Sequence, residues 1–92
     1  MKYRRTPQFL EDLASLPNDV KAKIPRAFDI FKDNPHHPSL QTKKIQGAKT
    51  RNGKDIWEGR LDLNHRFTFH YDGDTIWFRR IGKHDIIERD RE

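Results

Sequence analysis

Apolar positions recur every three to four residues in the first third of the chain and every second residue in its last third. From Asp55 to Asp85 the period of two predicts three short antiparallel strands. Tyr71-Asp72-Gly73-Asp74 is a two-residue hairpin signal. Centring the turn on Asp72-Gly73 pairs Phe69 with Ile76, Phe67 with Phe78, Thr68 with Trp77 and Arg66 with Arg79. Phe67, Phe69, Ile76 and Phe78 then share a buried face. Arg66, Thr68, His70, Trp77 and Arg79 share the other. Trp57 and Leu61 of the preceding strand must join the core, which leaves Glu58 and Arg60 on the polar face beside Arg66. A slip of one residue would expose every large apolar group, so the faces are well specified.

The first third reads differently. Met1 to Thr6 alternates as a short first strand. Thr6 is a helix N-cap with Pro7 at the first helical position, and Phe9, Leu10, Leu13 and Leu16 follow at helical spacing. Pro17-Asn18 breaks that helix, and Asn18 or Asp19 caps a second. The second carries Val20, Ile24, Ala27, Phe28 and Phe31 on one stripe and ends at Asn34-Pro35. Pro25 falls inside it, and an interior proline costs about 3 kcal/mol, so a kink or restart is expected there. The two form a helical hairpin on one face of the sheet. From His36 to Asn52 no period holds. This stretch reads as a basic loop bearing Lys43, Lys44, Lys49 and Arg51, with one short extended piece at Lys43–Gln46. No repeat or boundary divides the chain, so residues 1–92 are expected to form a single domain. The predicted class is α+β.

Hydrophobic residues make up 33% of the chain and charged residues 36%, a lean ratio that the clustered aromatics offset. A net charge of +5 favours an anionic partner such as nucleic acid, a ribosomal surface or an acidic protein segment, and equally describes a solvated basic surface. The absence of cysteine excludes a disulfide scaffold, a thiol nucleophile and a thiolate zinc site. No apolar run approaches a membrane span or a signal-peptide core, so a soluble cytoplasmic protein is expected, with no membrane partner.

A sheet needs only one buried face, and the groups gathered on the other suit a phosphodiester. In metal-free RNA cleavage the 2′-hydroxyl attacks phosphorus, a base removes its proton, an acid protonates the leaving oxygen, and cations stabilise the added negative charge. Arg60, Arg66 and Arg79 are candidate cations, Glu58 a candidate base, and His84 or His70 a candidate acid. Trp77 is a platform for stacking a base. Two arginines facing each other repel, which favours an anion between Arg66 and Arg79. Glu58 serves equally as a salt-bridge partner, Trp77 equally as packing, and His70 reads as structural. His36-His37 lacks a third ligand at metal-like spacing, so no metal or other cofactor is expected. Lys43, Lys44, Lys49 and Arg51 are generic phosphate contacts.

The helical hairpin, the basic loop, and then Ile56-Trp57-Glu58-Gly59-Arg60, Asn64-His65-Arg66-Phe67 and Ile81-Gly82-Lys83-His84-Asp85 together resemble the RelE/ParE superfamily of bacterial toxins. The spacing of Trp57, Arg60 and Arg66 is nearer the RelE- and YoeB-like ribonucleases than the ParE-type gyrase poisons. The resemblance covers essentially the whole chain. It implies a β-α-α-β-β-β fold, metal-free cleavage of messenger RNA in the ribosomal decoding site, and an antitoxin that silences the site. It implies that Arg66 contacts the scissile phosphate, that His84 is the terminal acid or phosphate contact with Lys83 beside it, and that Arg60 and Lys54 supply further basic groups. The base is then Glu58 or a lysine of the basic loop. Many members carry a C-terminal tyrosine or histidine that acts on the cleaved bond. The tail here is Ile86-Ile87-Glu88-Arg89-Asp90, without tyrosine, and His84 serves instead. The alternatives are a protein-binding gyrase inhibitor of the same fold and an inactive homologue.

Overall fold

In the computed structural model, residues 1–85, 88 and 90 are described. Ile86, Ile87 and Arg89 of the tail lie outside the described residues.

Strand β1 (Lys2–Arg5) leads into helix α1 (Pro7–Ser15). Thr6 caps it as expected, its Oγ1 accepting from Phe9 N–H at 3.1 Å with Pro7 in the first turn. Pro25 does force a restart. The second helical segment divides into a single turn, α2 (Asn18–Lys21), and a separate helix, α3 (Ile24–Asp33), which places Pro25 in a first turn where its missing N–H costs nothing. Strands β2 (Lys43–Lys49), β3 (Asp55–Arg60), β4 (His65–Asp72) and β5 (Thr75–Lys83) follow, and the sheet order is β1-β5-β4-β3-β2.

Two expectations about the sheet need correction. The stretch read as a basic loop with an extended piece at Lys43–Gln46 is a full edge strand running on to Lys49. A register shift between Lys44 and Lys49, with Gly47 at φ +78°, broke the period that would have marked it. The sheet is also not wholly antiparallel. β1 runs parallel to β5, with Tyr3 opposite Ile76, because the helices carry the chain back across the sheet between them.

The β4–β5 register differs as well. The turn centres on Gly73-Asp74, one residue later than expected, with Gly73 at φ +60°. Phe69 therefore pairs with Phe78 and Tyr71 with Ile76. A two-residue displacement preserves the faces, so Phe67, Phe69, Ile76 and Phe78 are buried together as expected. Beyond Phe69 a bulge intervenes. Thr68 pairs with Arg80, and Arg66 lies opposite Gly82 rather than Arg79. The bulge lets Ile81 rejoin the core after two consecutive arginines. It is pinned from α1, where the Asp12 carboxylate accepts from Arg80 Nε at 2.7 Å, Arg80 NH2 at 3.0 Å and the Ile81 backbone N–H at 3.1 Å.

The helices cover one face of the sheet through a cluster of phenylalanines. Phe31 is fully buried, with its ring 4.9 Å from Phe69 and 5.2 Å from Phe78, and Phe28 stacks on Phe78 at 4.8 Å. Gly59 lies directly across from Phe67, and a Cβ there would overlap the Phe67 ring. Gly59→Ala is therefore expected to destabilise the fold by about 1–3 kcal/mol, read as a lowered midpoint of urea unfolding.

Candidate functional site

The turn between β3 and β4 is built around one carboxylate. Asp62 Oδ1 accepts from the backbone N–H groups of Asn64 and His65 and from the His65 ring Nδ1, each at 2.9 Å. Its Oδ2 accepts from Lys23 Nζ at 3.0 Å. Burial pushes the carboxyl pKa up, but the hydrogen bonds from His65, Lys23 and the Asn64 backbone outweigh that and hold it well below the usual carboxylate range. Asp62 is thus a fixed negative charge that sets the turn and the His65 ring together.

Arg66 follows directly. Its NH1 donates to the backbone carbonyls of Asp62 at 2.9 Å, His65 at 3.1 Å and Leu63 at 3.5 Å, while its Nε and NH2 have no partner among the described residues. One corner of the guanidinium is held and the remaining donors are left for an anion. This corner opens on a groove of about 770 Å³. Pro17, Asp19 and Val20 form one wall, the turn residues Leu63 to Arg66 another, and Lys83 with His84 close it at the end of β5. His65 and Lys83 are cross-strand partners, so the two chain ends of the groove are tied by the sheet itself.

The groove brings together Arg66, His84 and Lys83 from among the expected site residues. Arg60 lies opposite Arg66 on β3 and its Nε donates to the Asp62 carbonyl at 3.4 Å, but it borders a neighbouring recess with Leu61 and α3 rather than the groove. Glu58 is buried on the outer sheet face, opposite Thr68 and 3.8 Å from Lys43 Nζ, and is not a groove residue. Lys44 and Lys49 both pair with Asp55, at 3.3 and 2.6 Å. Arg51 and Lys54 flank the β2–β3 turn, at the opposite end of β3 from Arg60.

The outer face is not free, contrary to expectation. Asp90 lies over it, accepting from Arg79 Nε at 3.0 Å and NH2 at 3.0 Å and from the Thr68 hydroxyl, while Arg79 NH1 meets His70 Nδ1 at 3.1 Å. Arg79 is 5% exposed and Asp90 4%. The expected opposition of Arg66 and Arg79 does not occur, because the bulge separates them. Arg66 is flanked by Arg60 instead. Trp77 shares the outer face, opposite His70 and Arg4. The sequence reading assigned no role to Asp62, His65 or Asp90. The Asp62-x-x-His65 spacing, an aspartate receiving backbone N–H groups two and three residues on, was the available signal for the first two. Nothing local announced Asp90.

Among the described residues no group of three or more His, Cys, Asp or Glu side chains is arranged to hold a metal ion, and no helix is long and apolar enough to cross a membrane.

Sheet order and helix placement define a known architecture: the chain has the fold of the RelE/ParE toxins. It superposes on YafQ from E. coli strain BL21(DE3) with a TM-score of 0.72 at 13% identity, over 94% of this chain and 96% of that one. The YoeB/ParE toxin from Agrobacterium tumefaciens gives 0.71 at 18% identity, over 91% and 99%. A RelE chain from the RelB–RelE antitoxin–toxin complex of Methanococcus jannaschii gives 0.69 at 23%, over 94% and 95%. No protein-family model and no curated protein sequence matches the chain.

Proposed function

We propose that this protein is the toxin of a toxin–antitoxin pair and cleaves messenger RNA on the ribosome without a metal ion. The observation that carries the reading is Arg66. Its guanidinium is anchored at NH1 and has Nε and NH2 to offer in the same groove as Lys83 and His84. In the reaction the 2′-oxygen attacks phosphorus, and Arg66 and Lys83 stabilise the charge that accumulates on the pentacovalent phosphate. His84 protonates the departing 5′-oxygen. The products are a 2′,3′-cyclic phosphate and a free 5′-hydroxyl. Arg60, behind Arg66, adds to the local positive potential. An antitoxin partner is supported by the fold's occurrence in a RelB–RelE antitoxin–toxin complex, and a ribosomal target implies the cytoplasm.

The test is toeprinting of a defined messenger on ribosomes. Codon-positioned cuts from the wild-type protein are expected. Folded protein that arrests growth without cutting would overturn the nuclease reading in favour of a protein target such as gyrase.

A groove that grips phosphates must also respond to salt. With Arg66 and Lys83 in the groove and Arg60 in the adjoining recess neutralising about three phosphates of a single strand, affinity for single-stranded RNA is expected to fall about 20-fold between 50 and 200 mM salt. A fluorescence-anisotropy titration reads this directly, and a flat response counts against the groove as the RNA site.

A further inference from the structure

Neither general base expected from the sequence reaches the groove. Glu58 is buried beside Lys43, and Lys43, Lys44 and Lys49 of β2 pair with Glu58 and Asp55 of β3. We infer that His65 is the group that takes the 2′-hydroxyl proton, with Asp62 as its positioning residue. This inference rests on the nuclease reading above.

The ring's orientation carries the argument. An ionised carboxylate only accepts hydrogen bonds, so the 2.9 Å contact between Asp62 Oδ1 and His65 Nδ1 requires the proton on Nδ1. In the neutral ring the lone pair then sits on Nε2. Among the described residues that atom has no partner, and no buried side-chain nitrogen or oxygen is left unsatisfied. His65 is only 8% exposed, so what solvent contact the ring keeps is at Nε2, and the residue, unlike Glu58, lines the groove. A histidine held through one nitrogen and presenting the other to a cleft is the arrangement general-base catalysis needs.

Its neighbours fit the task. Arg66 is the next residue, Lys83 is its cross-strand partner, and His84 follows Lys83. Asp19 of α2 faces it across the groove, and Lys23 shares Asp62 with it. The step balances without a co-reactant. Nε2 accepts the proton from the 2′-oxygen as that oxygen bonds to phosphorus. The P–O5′ bond breaks, and His84 supplies a proton to the leaving oxygen. Asp62 stays ionised throughout and stabilises the imidazolium that forms. Asp19 also lines the groove, but no hydrogen bond among the described residues orients its carboxylate.

The discriminating variant is His65→Asn, whose amide nitrogen can occupy the Nδ1 position and keep the bond to Asp62 while Nε2 disappears. Single-turnover cleavage of ribosome-bound messenger is expected to slow about 10²-fold with KM unchanged, and the rise in rate on the acid side of the pH profile is expected to vanish. Cleavage at the wild-type rate with that limb intact, in a protein whose Arg66→Ala form is inactive, overturns the role of His65 and leaves the nuclease reading standing. Absence of cleavage by the wild-type protein removes the nuclease reading itself. Should His65→Asn fail to fold, ¹⁵N-resolved NMR of the wild-type imidazole decides. A neutral ring protonated on Nδ1 supports the inference, and one protonated on Nε2 overturns it.

Discussion

Arg66→Ala is expected to reduce messenger cleavage by about 10²–10³-fold at saturating ribosome concentration, the usual cost of deleting one donor aimed at charge that develops in a transition state. The reason lies in how the side chain is held. NH1 is already engaged by the carbonyls of Asp62 and His65, so the guanidinium loses little freedom when a phosphate arrives. In the proposed reaction its remaining donors meet an oxygen whose charge grows only as phosphorus becomes pentacovalent, so the loss is expected in kcat more than in KM. Arg66→Lys separates geometry from charge. An ammonium restores the positive potential but not the planar fork, and most of the defect is expected to remain. Removing NH1 also costs the turn its hydrogen bonds to the Asp62, Leu63 and His65 carbonyls, worth about 1 kcal/mol each. The Asp62 clamp and the bond from Leu61 N–H to the His65 carbonyl keep the turn closed. A circular-dichroism melt therefore accompanies the rate measurement. A folded Arg66→Ala protein cutting within threefold of wild type would dismiss Arg66 as the phosphate anchor.

Asp90→Ala is expected to remove about 3–5 kcal/mol of stability, measured by urea unfolding. The wild-type total for a domain of this size is about 5–15 kcal/mol, so the change is large. Arg79 is almost fully buried, and its Nε and NH2 both donate to the Asp90 carboxylate. Taking the carboxylate away leaves the desolvated Arg79 Nε and NH2 and the Thr68 O–H without this acceptor. Breaking the pair and replacing it differ in sign. Asp90→Leu combined with Arg79→Met is expected to recover most of the loss, because two apolar side chains need no partner. Equal destabilisation in the single and double variants would show that something other than the stranded charge sets the cost.

The faces of the sheet were readable from the sequence where alternation holds, because exposing Phe67, Phe69, Ile76 and Phe78 together is prohibitive. The register along them was not. Asp72-Gly73 and Gly73-Asp74 are both acceptable turn centres, and the choice moves every partner by two while leaving the faces unchanged. The bulge had a visible mark in hindsight, since Phe78-Arg79-Arg80-Ile81 places two arginines between two core residues and so violates a period of two. The groove followed the same division. Arg66, Lys83 and His84 stand out by residue type, and the structure gathers them. Asp62 and His65 are ordinary turn residues until their hydrogen bonds are seen. Asp90 acts on Arg79 across eleven positions, through tertiary placement that no local pattern encodes.

The pairing of β1 with β5 has a consequence for how the protein is made. Thr6 N–H donates to the Phe78 carbonyl at 3.0 Å, and the Thr6 hydroxyl donates to the Arg79 carbonyl across 73 positions of sequence. Strand β1 has no sheet partner until β5 has been synthesised, and closing so long a loop defers the gain from its contacts until then. The groove is completed by Lys83 and His84, which emerge later still. A partly synthesised chain therefore carries the Arg66 corner without a finished groove, which closes only once β5 is available to pair with β4.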